Sequence, residues 1–130
     1  MNGDSFLLDT NIVIGLFSND PFIVGKISVS KEVYTPVIVI SELYFGATQS
    51  TKRDENKNRI KALIENSNIL NCTPTTGSFY GIIKATLKSK GNPIPENDIW
   101  IAALAKEHNL SLVTRDKHFD FVEGINLAKW

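Results

Sequence analysis

Four acidic residues interrupt apolar segments of this sequence. Asp9 follows FLL, Glu42 sits inside VIVISELYFGA, Asp98 precedes IWIAALA, and Asp116 comes two residues after LVT. Asp54, Glu55 and Glu65 fall instead among polar neighbours, as exposed acids do. An ionised carboxylate taken out of water without a partner is very costly. Arg115 is the nearest candidate partner, and no equal set of apolar-flanked basic residues accompanies the four acids. Carboxylates that converge repel and raise one another's pKa. A divalent cation removes that conflict, and carboxylate oxygens with water are the ligands Mg²⁺ or Mn²⁺ prefers.

Ordinary structural roles compete with this reading. Asp9 can cap a helix, Asp98 can complement the positive end of one, and Asp116 can serve a turn. Glu42 is harder to explain so, because its neighbours on both sides are apolar. Thr114 reads as a strand-end residue whose hydroxyl could orient a water at the metal. His108 and His118 raise metal-free acid–base cleavage of RNA, but His108 falls where a helix C-terminus favours it and His118 reads as a surface residue. Trp100 and Trp130 read as packing residues. The run KRDENKNRIK, 52–61, has five Lys or Arg against two acids and reads as a solvated helix face rather than a substrate-binding patch.

The elements that position these residues follow from apolar periodicity. Phe6 to Leu8 predict a strand, and Ile12, Val13, Leu16 and Phe17 a helix after it, so Asp9 and Asn11 lie at a strand-to-helix junction. Asp20 and Pro21 start a short helix, and EVYT, 32–35, is a second strand. PVIVISELYFGA is β-branched enough for a strand, yet Thr35-Pro36 starts a helix well and Val39, Ile40, Leu43 and Ala47 share one helical face. The expectation is helix. A polar helix spans 52–66 with Ile60, Leu63 and Ile64 as its apolar stripe, and Ile69 and Leu70 mark a third strand. Thr75 or Thr76 caps a helix lined by Phe79, Ile82, Ile83 and Leu87 and ended by Gly91. DIWIAALAKEH is apolar almost all round and so central. LSLVT is a buried strand, KHFDFV a helical turn and INLA an edge strand.

Strands alternating with helices predict a three-layer α/β/α sandwich with a mostly parallel central sheet. In such sheets ligands bind at the carboxyl ends of the strands. A chain of 130 residues, 42% hydrophobic, is read as one domain, 1–130. It has no apolar run near the ~18 residues that span a bilayer, and MNGDSFLLDT lacks the features of a signal peptide. Cys72 is the only cysteine, which excludes an intrachain disulfide. The expectation is a cytoplasmic protein without a membrane partner. Charge is balanced, 14 Lys and Arg against 14 Asp and Glu, which disfavours binding nucleic acid by phosphate contacts alone but not a nucleic-acid enzyme.

The ordered set FLLDTN, SELYFGA and GNPIPENDIWIAALAKEHNLSLVTRDKHFD resembles a PIN domain, and more narrowly the VapC-type ribonuclease toxins of prokaryotic toxin–antitoxin pairs. The resemblance runs over essentially the whole chain. It implies the sandwich fold and a metal-dependent endoribonuclease acting on single-stranded or looped RNA. The implied catalytic acids are Asp9, Glu42, Asp98 and Asp116. Asp9, Asp98 and Asp116 hold one or two Mg²⁺ (or Mn²⁺) ions, and Glu42 is a ligand or water-positioning base. Asn11 and Thr114 support them, with Leu43, Gly46 and Phe119 filling out the pattern. The fourth acid falls at Asp116, with Asp120 nearby. The resemblance further implies a homodimer, a cognate antitoxin whose segment covers a groove beside the site, and operator DNA contacted through the antitoxin complex. Which RNA is cut, a tRNA loop, a ribosomal loop or a message, is not written in these motifs, and no substrate-binding residue is assigned.

Other classes fit less well. A phosphatase of the haloacid-dehalogenase type needs a second Asp where Asn11 stands. A receiver-like signalling domain needs paired acids after the first strand and a phospho-accepting Asp after the middle one, where Cys72 and Thr73 follow ILN. A vestigial PIN module that binds metal without cutting RNA is the remaining alternative, against which the four intact acids argue.

Overall fold

A computed structural model describes residues 5–130; the first four residues of the MNGDSFLLDT start lie outside them. Five strands form: β1 (Ser5–Leu8), β2 (Glu32–Pro36), β3 (Asn68–Leu70), β4 (Ser111–Val113) and β5 (Asn126–Ala128). Six α-helices alternate with them: α1 (Thr10–Phe17), α2 (Pro21–Ser28), α3 (Val37–Thr48), α4 (Arg53–Asn66), α5 (Pro74–Ser89) and α6 (Glu96–Glu107). The KHFDF segment winds into a 3₁₀ turn, Lys117–Phe121.

The strands lie in the order β3-β2-β1-β4-β5, and all four pairings are parallel. Parallel neighbours require crossovers, and right-handed crossovers place α1 to α4 on one face and α5, α6 and the 3₁₀ turn on the other. Packing agrees, with α3 against α4 and α5 against α6. The expected three-layer α/β/α sandwich is the fold, with a sheet parallel throughout.

The ambiguous segment after β2 is a helix because its apolar residues obey a helical period. Val39, Ile40, Leu43 and Ala47 are buried together, and Pro36 closes the strand and precedes the first helical residue. Helix α6 buries Ile99, Ile101, Ala102, Ala103, Leu104 and Ala105. Its three alanines let it sit close to both the sheet and α5, which makes it the central helix of its layer.

Three local expectations are corrected. Helix α5 is capped by Thr73 rather than Thr75 or Thr76: Thr73 accepts from the Thr76 N–H, and the Thr76 hydroxyl accepts from the Thr73 N–H. This reciprocal box leaves Pro74 at the first helical position, where its missing N–H is harmless. Ile82 faces solvent at 64% exposure while Ile83 and Leu87 are buried, so the inward stripe of α5 is narrower than the sequence suggests. Ile64 likewise lies at the surface edge of α4. Gly91 does end α5, at φ +70°, the left-handed conformation glycine adopts without a Cβ penalty.

Candidate active site

The backbone leaves β1 at Leu8, and Asp9 N–H donates to the Val113 carbonyl at 3.0 Å, extending the β1–β4 ladder one residue beyond the strand. Asp9 then caps α1, its Oδ1 accepting from Thr10 N–H at 2.8 Å. The residue is only 5% exposed. Its Oδ2 accepts from the Thr114 hydroxyl at 2.7 Å and from Asn11 Nδ2 at 3.2 Å. Thr114, fully buried just past β4, also accepts from Asp116 N–H at 3.0 Å. Asn11 Oδ1 accepts from Arg115 N–H at 3.1 Å. The two strand ends are thereby tied together around one carboxylate, with Asn11 and Thr114 at its side.

Asp98 lies in the first turn of α6, and its Oδ2 is 3.0 Å from His118 Nδ1. Asp116 caps the 3₁₀ turn by accepting from His118 N–H at 2.9 Å, and the same oxygen lies 3.1 Å from His118 Nδ1. One donor atom from each of Asp98, Asp116 and His118 falls within 4.8 Å of the other two.

Burial is the main cause that raises the Asp9 carboxyl above its ordinary pKa of 3.8, and the charge of Asp116 adds to it, while bonds from Thr114, Thr10 and Asn11 pull the other way. Burial likewise raises Asp98, reinforced by the charges of Asp9 and Asp116 and opposed by His118. The three aspartates therefore feel one another.

Glu42 stands one hydrogen bond away from this group. Its Oε1 accepts from the Thr10 hydroxyl at 2.9 Å, and the next residue back, Asp9, accepts from the Thr10 N–H. Glu42 opens onto a groove of about 410 Å³ lined by Thr10, Ser41, Glu42, Phe45 and Asn97.

Arg115, the nearest basic candidate in sequence, does not pair with the acids. Its guanidinium turns to Asp20 at 3.2 Å and to the Trp130 carbonyl at 2.7 Å. Asp120 is exposed and lies 3.8 Å from Lys129, so Asp116 is the acid that reaches Asp98. Trp100 stacks on Tyr80 and Trp130 meets Phe6 edge-on, both as packing. His108 caps the C-terminus of α6.

Two residues escape a reading by apolar flanks. His118 is half-exposed, yet its ring sits between two site acids. The Asp-x-His spacing from a turn-capping Asp116 was the available signal. Thr10 links Asp9 to Glu42, and its place directly after a strand-end acid was the only hint.

A PIN domain model matches residues 6–125. Ribonuclease VapC2 of Haemophilus influenzae is 34% identical, over 96% of this chain and 97% of its own. The tRNA(fMet)-specific endonuclease VapC of Shigella flexneri is 28% identical over the same shares. The DNA-bound VapBC structure from Salmonella typhimurium superposes with a TM-score of 0.91 at 28% identity, covering all of this chain and 99% of that one. With its acids gathered at the strand ends of a parallel sheet, the chain belongs to the PIN-domain family and, within it, to the VapC group.

Proposed function

We propose that this protein is a metal-dependent endoribonuclease that hydrolyses phosphodiester bonds of single-stranded or looped RNA and acts as the toxin of a toxin–antitoxin pair. One observation carries the chemistry. Asp98 and Asp116 bring carboxylate oxygens within 4.8 Å of each other, Asp9 stands near enough for its charge to act on Asp98, and Arg115 turns away from the group. The donor set is oxygen-rich and preorganised, which fits a divalent ion such as Mg²⁺ or Mn²⁺ held by Asp9, Asp98 and Asp116. When bound, such an ion neutralises charge on the scissile phosphate and makes water a stronger acid.

The chain's own residues do the rest. Thr114, Asn11 and Thr10 N–H fix both oxygens of Asp9, so no reorganisation is needed at the moment of reaction. Thr10's hydroxyl occupies Glu42 Oε1, leaving Oε2 to orient the attacking water and accept its proton. The groove beside Glu42 is where the strand is read to lie, with the exposed ring of Phe45 beneath an unpaired base.

The relatives' names support RNA as substrate, a tRNA in one case. An antitoxin partner, with operator DNA met only through that complex, is supported by the DNA-bound VapBC neighbour. A second groove of about 420 Å³, lined by Leu8, Leu16, Phe17, Ile27, Val33 and Leu63 among others, suits an apolar antitoxin segment. Homodimerisation and a cytoplasmic location are inferred from the family; among the described residues no helix is long and apolar enough to cross a membrane.

The test is cleavage of a mixed single-stranded and tRNA pool with Mn²⁺, Mg²⁺ or EDTA, comparing the natural chain with Asp9→Asn. Cleavage that EDTA and the substitution both abolish is the expected result. Equal cleavage in all arms overturns the metal mechanism, and metal binding without any cleavage favours the vestigial binding module.

A further inference from the structure

We infer that His118 is itself a metal ligand, and that its nitrogen makes this site select a first-row transition ion such as Mn²⁺ over Mg²⁺. The inference rests on the metal-dependent reading above and deepens it. His118 Nδ1 lies 3.0 Å from Asp98 Oδ2 and 3.1 Å from Asp116 Oδ1. Adjacent donors around a six-coordinate ion at roughly 2.1 Å stand about 3.0 Å apart, so the separations between ring nitrogen and carboxylates already match two edges of such a shell.

The ring is held in place rather than swinging free. His118 N–H is bound by the Asp116 carboxylate, and the residue sits in the 3₁₀ turn that the same carboxylate caps. Phe119, the next residue, is fully buried and pins that turn to the core. In one neutral tautomer Nδ1 carries the proton and can donate to Asp98 Oδ2. In the other neutral tautomer the proton is on Nε2, and Nδ1 offers its lone pair. A set of carboxylates alone is the ligand field Mg²⁺ and Mn²⁺ share. An imidazole breaks that parity, because borderline nitrogen donors favour transition ions over Mg²⁺, which dehydrates reluctantly and keeps oxygen.

The test is electron spin-echo spectroscopy of the tag-free full chain loaded with Mn²⁺ alone, together with Mn²⁺ and Mg²⁺ affinities from titration. The natural chain, His118→Gln and His108→Gln are compared, both substitutions falling on partly exposed side chains. Nitrogen modulation in the natural chain and in His108→Gln, lost in His118→Gln, is expected. With it, Mn²⁺ affinity falls at least about tenfold, the low end for even an outer-shell partner of a metal, while Mg²⁺ affinity changes less. Mn²⁺ bound without nitrogen modulation overturns the ligand role and leaves the carboxylate site standing. No Mn²⁺ bound at micromolar to millimolar concentrations overturns both.

Discussion

Asp98→Asn separates a metal-holding acid from a helix-end acid, because the two roles predict opposite changes in stability. Asp98 and Asp116 offer oxygens within 4.8 Å of each other. Coulomb's law at that separation gives about 3.5 kcal/mol of repulsion at an effective dielectric near 20, and under about 1 kcal/mol in bulk water. The Asp116 side chain is 34% exposed, so the lower half of that range applies, about 1–2 kcal/mol. Against this, a carboxylate in the first turn of α6 gains about 0.3–1 kcal/mol from the helix end. Removing the charge also ends the desolvation that raises Asp98. The variant is therefore expected to be more stable than the natural chain in EDTA, by about 1 kcal/mol, or about 4 °C for a domain of this size. In Mn²⁺ at a hundred times its Kd, the natural chain gains about 2.7 kcal/mol, roughly 10 °C, and the variant loses most of that increment. The two melting orders thus cross between EDTA and Mn²⁺. The advantage in EDTA also depends on pH. Asp98 has a folded pKa raised above 3.8, so its penalty is full at neutral pH, shrinks as pH falls through the raised value, and vanishes below 3.8. Differential scanning calorimetry in both media and across pH reads all of this. A variant that melts lower in EDTA and keeps the whole Mn²⁺ increment refutes the reasoning and leaves Asp98 as a helix-end residue.

Asp116→Asn is expected to reduce RNA cleavage by a factor on the order of 10² or more, the scale of losing one preorganised electrostatic group, whereas Asp120→Asn stays within a factor of about 2 because its carboxylate faces Lys129; single-turnover assays distinguish them. Thr114→Val removes the buried hydroxyl on which Asp9, Asp116 N–H and Asn11 converge. It is expected to cost about 1–3 kcal/mol of stability by leaving buried polar groups unpaired, which denaturant melts would show as a lower midpoint at unchanged slope. Phe45→Ala, at a ring 69% exposed beside Glu42, is expected to raise KM by a factor of about 5–150, the worth of one stacked base, with kcat little changed; a fall in kcat alone would count against the stacking role.

The fold was legible because apolar spacing and chain order constrain each other. VIVI favours a strand by composition, but Val39, Ile40, Leu43 and Ala47 share a face only in a helix, and burial follows that face. Convergence of Asp9 and Asp116 was also legible, since each follows a strand of a parallel sheet. What escaped was whatever depends on rotamers and on short-range competition for hydrogen bonds. Thr73 outcompetes Thr75 and Thr76 as a cap because Thr76 can return the bond. Arg115 sits beside the acids in sequence but finds Asp20 and the Trp130 carbonyl, groups far along the chain. His118 looks like a surface residue from its polar neighbours, and half of it is one; only the turn capped by Asp116 aims the ring at Asp98.

The apolar run at residues 6–17 breaks at Asp9, which caps a helix and, on the proposed reading, also holds the metal. Asp9 caps α1, Asp98 occupies the first turn of α6, and Asp116 caps the 3₁₀ turn. Each acid of the cluster thus sits at a helical N-terminus, where unsatisfied N–H groups carry about +0.5 of charge on an α-helix. Those positive ends offset part of the cost of placing three carboxylates near one another. They do not neutralise them: three negative charges against two α-helix ends leave about −2, the charge one divalent ion balances. The strand order explains why the helix ends meet here. Connections leave β1 toward β2 on one side, while β4 joins β1 from the other, so the crevice opens at the carboxyl ends of β1 and β4, where open parallel sheets bind ligands. On the proposed metal-dependent reading, capping and metal holding are consecutive uses of the same carboxylates. Caps alone would not require the charges of Asp9 and Asp116 to act on Asp98, and that coupling is what supports the reading of the cluster as a site.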